Sequence, residues 1–318
     1  MVAAGRALGS REPDPAMRNP DFLADRLLGP EELDLIKEHP LSASLAKPYE
    51  EARQDFAALG TAVMMLIRTR FIDEKLQQAI ENGATQFVIL GAGFDTRAYR
   101  FRDLLKTARV FEVDSAATQD HKRKRAAAAL GDPPANLTYV TIDFNRDKLG
   151  DVLRQAGCRR DEKTFFTWEG VSMYVAPEGV RETLRTIATE SAPGSELVMD
   201  YTTEGVLEFM EKFPAVGPVN MLKAWNEPWV FGVPDTEQPE FFAALGLDTR
   251  ESLPMFGPDS VRRYLTRPDG TVFGRPTGAS NPPPQAPAID PAVQAAMAEL
   301  GARTKGSWYT LTDLVVRG

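Results

Sequence analysis

The chain has 318 residues, 43% of them hydrophobic and 26% charged, with a formal net charge of -8 and a pI near 5.1. That is enough apolar sequence to bury a sizeable core. The acidic balance gives no global pull toward nucleic-acid phosphates or anionic membranes, so neither is expected as a partner. A single cysteine, Cys158, excludes an internal disulfide, and with only two histidines neither a cysteine-rich zinc site nor another metal core is expected. The N-terminal stretch has no unbroken apolar run of the secretory kind, and no apolar run reaches the ~18 residues of a membrane span. A cytoplasmic protein is expected.

Residues 1–20, rich in charge, Gly and Pro, are expected to be loosely held at their start. Asn19-Pro20 then fits an N-cap with proline at the first helical position. Gly29-Pro30 breaks that helix and starts the next, which His39-Pro40 ends. A longer helix from about Tyr49 carries Phe56, Leu59, Val63, Leu66 and Ile67 on one face, and another runs over about 71–82 to Gly83. The period then changes. Short apolar runs at 86–90, 109–113, 138–142, 164–168 and 196–201 read as five strands, separated by helices at 96–106, 116–130, 146–155 and 177–191. Alternating strand and helix with short connections predicts a parallel sheet with helices on both faces. Beyond Tyr201 the pattern loosens. It predicts a helix at 205–213, a Pro/Gly/Trp-rich covering segment or lid at 214–234, a strand at 247–253, a short helix at 259–265, a proline-rich insertion at 267–291 and a last strand at 307–316.

Ligands of open parallel sheets bind at the carboxyl ends of the strands, and here each of the first four strands ends in a suggestive residue. Gly91-Ala92-Gly93 follows the first, a turn that lets backbone approach a ligand. Asp114 ends the second, 23 residues after Gly91, where an acid can accept both hydroxyls of a ribose. Glu112, two residues earlier on the same strand face, is a second ribose candidate. Asp143 follows the third strand and Glu169 the fourth. A dinucleotide fingerprint needs a third small residue where Thr96 stands, which argues against a nicotinamide or flavin cofactor.

The ordered series QFVILGAGFDTRAYRF, VFEVD, TYVTIDFN and FFTWEGVSMYV, preceded by RTRFIDEKL, resembles the leucine carboxyl methyltransferase family. It is most similar to the bacterial branch of S-adenosylmethionine-dependent O-methyltransferases. The N-terminal GRALGSREPDPAMRNPDFLADRLL is similar more loosely, and the likeness covers roughly residues 1–200. It implies a class I methyltransferase fold, α/β and Rossmann-like, with a seven-stranded, mostly parallel sheet in a single domain. Residues 1–83 would form a helical cover, 84–201 the cofactor core, and 202–318 the lid, the insertion and the last strands.

The resemblance also implies roles. Arg68 would pair with the methionine carboxylate of S-adenosyl-L-methionine, Arg70 being the alternative, and a guanidinium suits a carboxylate because it binds bidentately. Gly91, Ala92 and Gly93 would lie along the cofactor, and Asp114 would hold its ribose. Asp143 and Phe144 would flank the adenine, and Glu169 would sit near the methionine amino group. Tyr174 would face the acceptor, and Lys47 is the candidate for a further N-terminal lysine that eukaryotic members use. Asp95-Thr96-Arg97 belongs to the same pattern, with Asp95 favoured as a helix N-terminal anion.

The expected function is O-methylation of a carboxylate on a small molecule or peptide, in secondary metabolism, by a monomer or homodimer that uses no metal. A carboxylate is already ionised at neutral pH and needs no base, so the protein has only to align the reactants. His39 and His121 sit in unpromising places for catalysis. A hydroxyl acceptor would want a base, for which Glu169, Asp200, Tyr201 and Tyr174 are the candidates. A nicotinamide-dependent oxidoreductase and a non-catalytic nucleoside-binding protein are the remaining alternatives. Trp225, Trp229 and Phe231 would form an apolar acceptor wall if the lid is correctly placed.

Overall fold

Strands that are apolar along their whole length must be covered on both faces, and that requirement organises the chain. The computed structural model describes residues 2–37, 40–143, 146–216, 228–273 and 289–318. Seven strands form one sheet: β1 (Gln86–Leu90), β2 (Arg109–Asp114), β3 (Leu137–Thr141), β4 (Thr164–Trp168), β5 (Glu196–Thr202), β6 (Leu247–Pro254) and β7 (Tyr309–Val316). Their order is β3-β2-β1-β4-β5-β7-β6. The first five pair in parallel, and β7 runs antiparallel between β5 and β6. The order reverses between β1 and β4, which makes that junction the topological switch point, where sheets of this kind bind their ligands.

The period-two alternation of the strands divides the core. Phe87, Ile89, Phe165, Val198 and Leu311 lie on one face with Leu66, Ile67, Phe71 and Leu76 of the covering helix. Val88, Leu90, Phe166, Trp168, Leu197 and Met199 lie on the other with Leu153, Val180, Leu184 and Ile187. The helices are α1 (Val2–Ser10), α2 (Ala24–Leu27), α3 (Pro30–Leu35), α4 (Pro40–Leu45), α5 (Tyr49–Ala52), α6 (Phe56–Glu81), α7 (Arg97–Arg100), α8 (Ala116–Leu130), α9 (Leu149–Gln155), α10 (Pro177–Glu190), α11 (Glu204–Lys212), α12 (Gln238–Ala243) and α13 (Pro291–Arg303).

Several expectations are corrected. The N-terminus is not loosely held: α1 has residues 3–9 buried and forms a third apolar cluster with α2, α4 and α6. Gly5 permits the close approach, since a Cβ there would lie 2.7 Å from Met65 Cγ. The two long helices expected over 49–82 are instead the short α5 and the single 26-residue α6, started by Asp55, whose side chain accepts the Ala58 amide. No proline interrupts α6 and its apolar stripe keeps phase, so nothing breaks it near residue 70. The helix expected at 96–106 shrinks to α7, followed by hydrogen-bonded turns from Phe101 to Ala108. The one expected from Arg146 begins at Leu149. The short helix near residue 260 is one α turn (Pro258–Ser260) running into a π turn (Val261–Leu265). Much of the expected lid and insertion, including Trp225, and also His39, lies outside the described residues. Among the described residues, no helix is long and apolar enough to cross a membrane.

If α1 is core rather than tail, truncating its buried Leu8 leaves a cavity. Leu8→Ala is expected to lose about 2–5 kcal/mol of stability in urea denaturation, whereas a loosely held terminus would lose almost none.

Candidate functional site

The strand-end residues converge at the carboxyl edge of the sheet around the switch point. Gly91 turns the chain off β1 with φ +61°, a conformation that favours glycine. Any Cβ there would lie 2.6 Å from Cγ2 of Val171, in the loop after β4. The turn therefore brings the β1 and β4 loops into contact. The Gly93 amide donates to Asp114 Oδ2 at 2.6 Å, and Ser115 donates to Asp114 Oδ1 at 2.7 Å. Asp114 is thus fixed by backbone and only half-buried, and its oxygens keep lone pairs for further donors. Glu112, the other ribose candidate, is buried and ion-paired with Lys122 Nζ at 2.6 Å. Burial pushes its carboxyl up to about 7 despite that partner.

Glu169, directly after β4, is the centre of the site. Its Oε1 accepts from Arg6 Nη2 and Arg68 Nε, each at 3.0 Å, and its Oε2 accepts from Arg97 Nη1 at 2.8 Å. The cluster extends outward. Arg6 reaches Asp21 at 3.1 Å, and Arg97 reaches Asp73 at 2.8 Å and also Asp95. Arg100 pairs with Asp73 at 2.7 Å. Burial alone would raise the Glu169 carboxyl, but Arg6, Arg97 and Arg68 outweigh it and hold it well below the usual glutamate range. Asp95 also caps α7, its Oδ1 accepting the Arg97 amide at 2.7 Å.

Arg68 projects from the middle of α6 and is 2% exposed. Its Nη1 donates to Asp200 Oδ2 at 2.7 Å and to the Tyr309 hydroxyl at 3.3 Å, and its Nη2 contacts Met65 Sδ at 3.2 Å. Burial alone would lower it, yet Asp200 and Glu169 outweigh burial and keep the guanidinium charged. Asp200 also accepts the Gly170 amide at 2.6 Å and the Tyr309 hydroxyl at 2.8 Å. Beside this cluster, Tyr174 in a 3-10 turn (Ser172–Tyr174) lies edge-on to Trp229 at 6.5 Å between ring centroids, and Trp229 lies 6.1 Å from Tyr309. Tyr201 and Phe231 belong instead to the opposite face of the sheet, where the Tyr201 hydroxyl donates to Gln238 at 2.8 Å. Tyr201 is therefore not in the site.

The structure brings together Arg68, Gly91, Ala92, Gly93, Asp114 and Glu169, with Tyr174 at the edge. Asp143 lies exposed two residues beyond the end of β3, with Arg146 Nε 3.6 Å from its carboxylate; Phe144 lies outside the described residues. Arg70 points away, donating to the carbonyl of Ala16 at 2.7 Å. Lys47 is exposed, and the N-terminal cation that reaches the site is Arg6. His121 pairs with Glu32 at 2.7 Å, away from the cluster. Sequence reasoning missed Arg6, Asp21, Asp73 and Tyr309. Arg6 and Asp21 fall inside the N-terminal stretch whose likeness to the family is looser, and Tyr309 carries no local signal.

Comparison with known proteins bears on the family and the fold. The family profile for leucine carboxyl methyltransferases matches residues 1–188. A Bacillus subtilis protein, YktD, whose name describes it as a candidate S-adenosyl-L-methionine-dependent methyltransferase, is 32% identical over 212 residues, 64% of this chain and 69% of its own. A Mycobacterium avium protein with the same description is 34% identical over 201 residues. That match takes in 63% of this chain and 64% of the relative, so it spans less than two-thirds of that relative's length. Among solved structures, a DUF574-family protein of Streptomyces avermitilis superposes with a TM-score of 0.51 at 16% identity, covering 99% of this chain and 97% of that one. The fold is that of the class I methyltransferases.

Removing the central charge should expose how much depends on it. Glu169→Gln leaves three buried guanidinium groups short of a partner, and an expected loss of about 3–5 kcal/mol at pH 7 follows from breaking a buried pair on one side. A depressed folded-state pKa contributes stability above the unfolded value and loses it as pH falls. The gap between wild type and variant, read from urea curves, should therefore narrow below about pH 4.5, close to the unfolded glutamate pKa.

Proposed function

Because this chain belongs to the leucine carboxyl methyltransferase family, we propose that it is an S-adenosyl-L-methionine-dependent O-methyltransferase acting on a carboxylate of a small molecule or peptide. The observation that carries this reading is the convergence of Arg68, the Gly91–Gly93 turn, Asp114 and Glu169 at the switch point. The residues fit the group. Asp114 presents carboxylate oxygens to a ribose, Glu169 presents an anion to an ammonium, and Arg68 presents a guanidinium to a carboxylate. Arg6 Nε and Arg97 Nη2 are buried donors with no partner among the described residues, which leaves the cluster capacity for one more anion. Asp143 extends the same edge toward an adenine.

When bound, S-adenosyl-L-methionine supplies an electrophilic sulfonium methyl. The protein's part is then to fix the two ends of the cofactor and to hold an acceptor oxygen in line with that methyl, and positioning of this kind supplies several kcal/mol. Tyr174 and Trp229 line the acceptor side and help keep water out. Of the four side chains that could act as bases for a hydroxyl acceptor, three are engaged elsewhere and only Tyr174 stands on the acceptor side. Glu169 is clamped by three arginines, Asp200 accepts from Gly170, Arg68 and Tyr309, and Tyr201 faces the other side of the sheet. This supports an acceptor that arrives already ionised, and a small natural-product acid is the class we favour.

Two measurements test the reading. In calorimetric titration, S-adenosylmethionine and S-adenosylhomocysteine should bind and NAD should not. Asp114→Ala should weaken S-adenosylhomocysteine about 10–100-fold, the range for losing hydrogen bonds to a charged group. Binding of NAD alone would discard the assignment. With a carboxylic-acid acceptor found by screening, the methylation rate should be flat above about pH 6, since the acceptor is ionised there. A rate that climbs through neutrality would instead indicate a hydroxyl acceptor.

A further inference from the structure

The reaction as proposed uses Arg68 but leaves unexplained how one guanidinium on a helix is held against strand-end loops. Met65, Glu169, Asp200 and Tyr309 surround it, and the last comes from far along the chain. Tyr309, the first residue of β7, is 7% exposed and accepts from Arg68 Nη1 at 3.3 Å while donating its hydroxyl to Asp200 Oδ2 at 2.8 Å. Asp200 in turn accepts from the same Arg68 nitrogen at 2.7 Å. Arg68, Asp200 and Tyr309 therefore close a three-membered hydrogen-bonded ring that spans α6, β5 and β7. The antiparallel register of β7 on β5 sets Tyr309 opposite Thr202 and Leu311 opposite Asp200, so the sheet itself fixes the hydroxyl. The Trp229 ring 6.1 Å from that of Tyr309 adds an aromatic contact on the acceptor side.

We propose that Tyr309 is a positioning residue for the cofactor. Its hydroxyl holds Asp200 and Arg68 in the orientation that presents the guanidinium to the carboxylate of the cofactor's methionine moiety. The proposal rests on the reading of the site given above. Tyr309 does not itself touch the reacting atoms. It acts only through Arg68, so its influence is confined to the amino-acid end of the cofactor and does not reach the nucleoside end held by Asp114. Burial together with the Asp200 carboxylate raises the phenol well above its ordinary value, so it remains a donor across the working pH range.

That confinement sets the test. Tyr309→Phe keeps the ring and its packing and removes only the hydroxyl. Calorimetric affinity should be compared for S-adenosylhomocysteine and for 5'-methylthioadenosine, which has the same nucleoside and thioether but no amino-acid group. The variant should bind S-adenosylhomocysteine about 5–10-fold more weakly, the worth of one hydrogen bond, and 5'-methylthioadenosine as wild type does. In combination with Arg68→Lys, it should add little to the loss Arg68→Lys causes alone, because the two act as one unit. Equal weakening of both ligands would mean a general structural role, and unchanged affinity for both would mean no role; either result overturns the proposal while leaving the site reading intact. Failure of wild-type protein to bind either ligand would overturn both. Thermal melting of the variant should stay within a few degrees of wild type, and a larger fall with equal loss of both ligands would count as the structural outcome.

Discussion

One glutamate buried among three guanidinium groups ties together three helices and a strand end. Glu169 reaches α1 through Arg6, α6 through Arg68 and α7 through Arg97, while its own backbone continues from β4 at the switch point. Attraction between such groups is strong in a poorly solvated interior, but each has also lost its hydration, so the net contribution is far smaller than the Coulomb energy suggests. The geometry is a firmer gain than the energy. With Asp21, Asp73, Asp95 and Asp200 completing the shell, each of these arginines has at least two carboxylate partners in different directions. A guanidinium bound on two sides has little rotational freedom. It meets an incoming carboxylate already oriented, and less ordering entropy opposes binding.

The backbone works to the same end. Gly91 turns where a side chain would strike Val171, so the loops after β1 and β4 can approach, and Gly93 fixes Asp114 through its amide. Both loops rise from strands buried on both faces, with α6 covering one side and α9 and α10 the other. The residues gathered at the switch point are therefore mounted on the buried core of the sheet. Tyr174 and Trp229 beside them come from the 3-10 turn and from the irregular segment after α11.

Gly91, Asp114 and Glu169 were legible in the sequence because each follows a short apolar run, and strand ends of a parallel sheet are where ligand residues fall. The bounds of β1, β4 and α8 were equally legible, since local pattern alone determines them. Arg6 and Tyr309 were not. They meet their partners across 163 and 241 positions of chain, and only tertiary packing brings them in. The same reason hid the burial of α1. Its composition of Ala, Gly and Arg looks soluble, yet the small residues are what let it lie close on α6. Glu112 misled in the opposite direction, because period-two spacing places it on the face of Asp114 without showing that Lys122 would claim it. The Tyr201 hydroxyl failed as a site candidate because that residue's side of β5 faces α12, and only the completed sheet shows which side that is.

The antiparallel insertion of β7 between β5 and β6 has a consequence for how the protein comes into being. A ribosome delivers the residues in order, so Arg6 emerges long before Glu169, and Asp200 before Tyr309. Until residue 309 follows, β5 lacks a neighbour on one edge, and the Arg68 guanidinium lacks one of its anchors. The arginine is thus fixed only once a strand made after the other six takes its place among them. A chain cut short before β7 would carry every motif that marks the family and still leave Arg68 and Asp200 without the tyrosine that joins them.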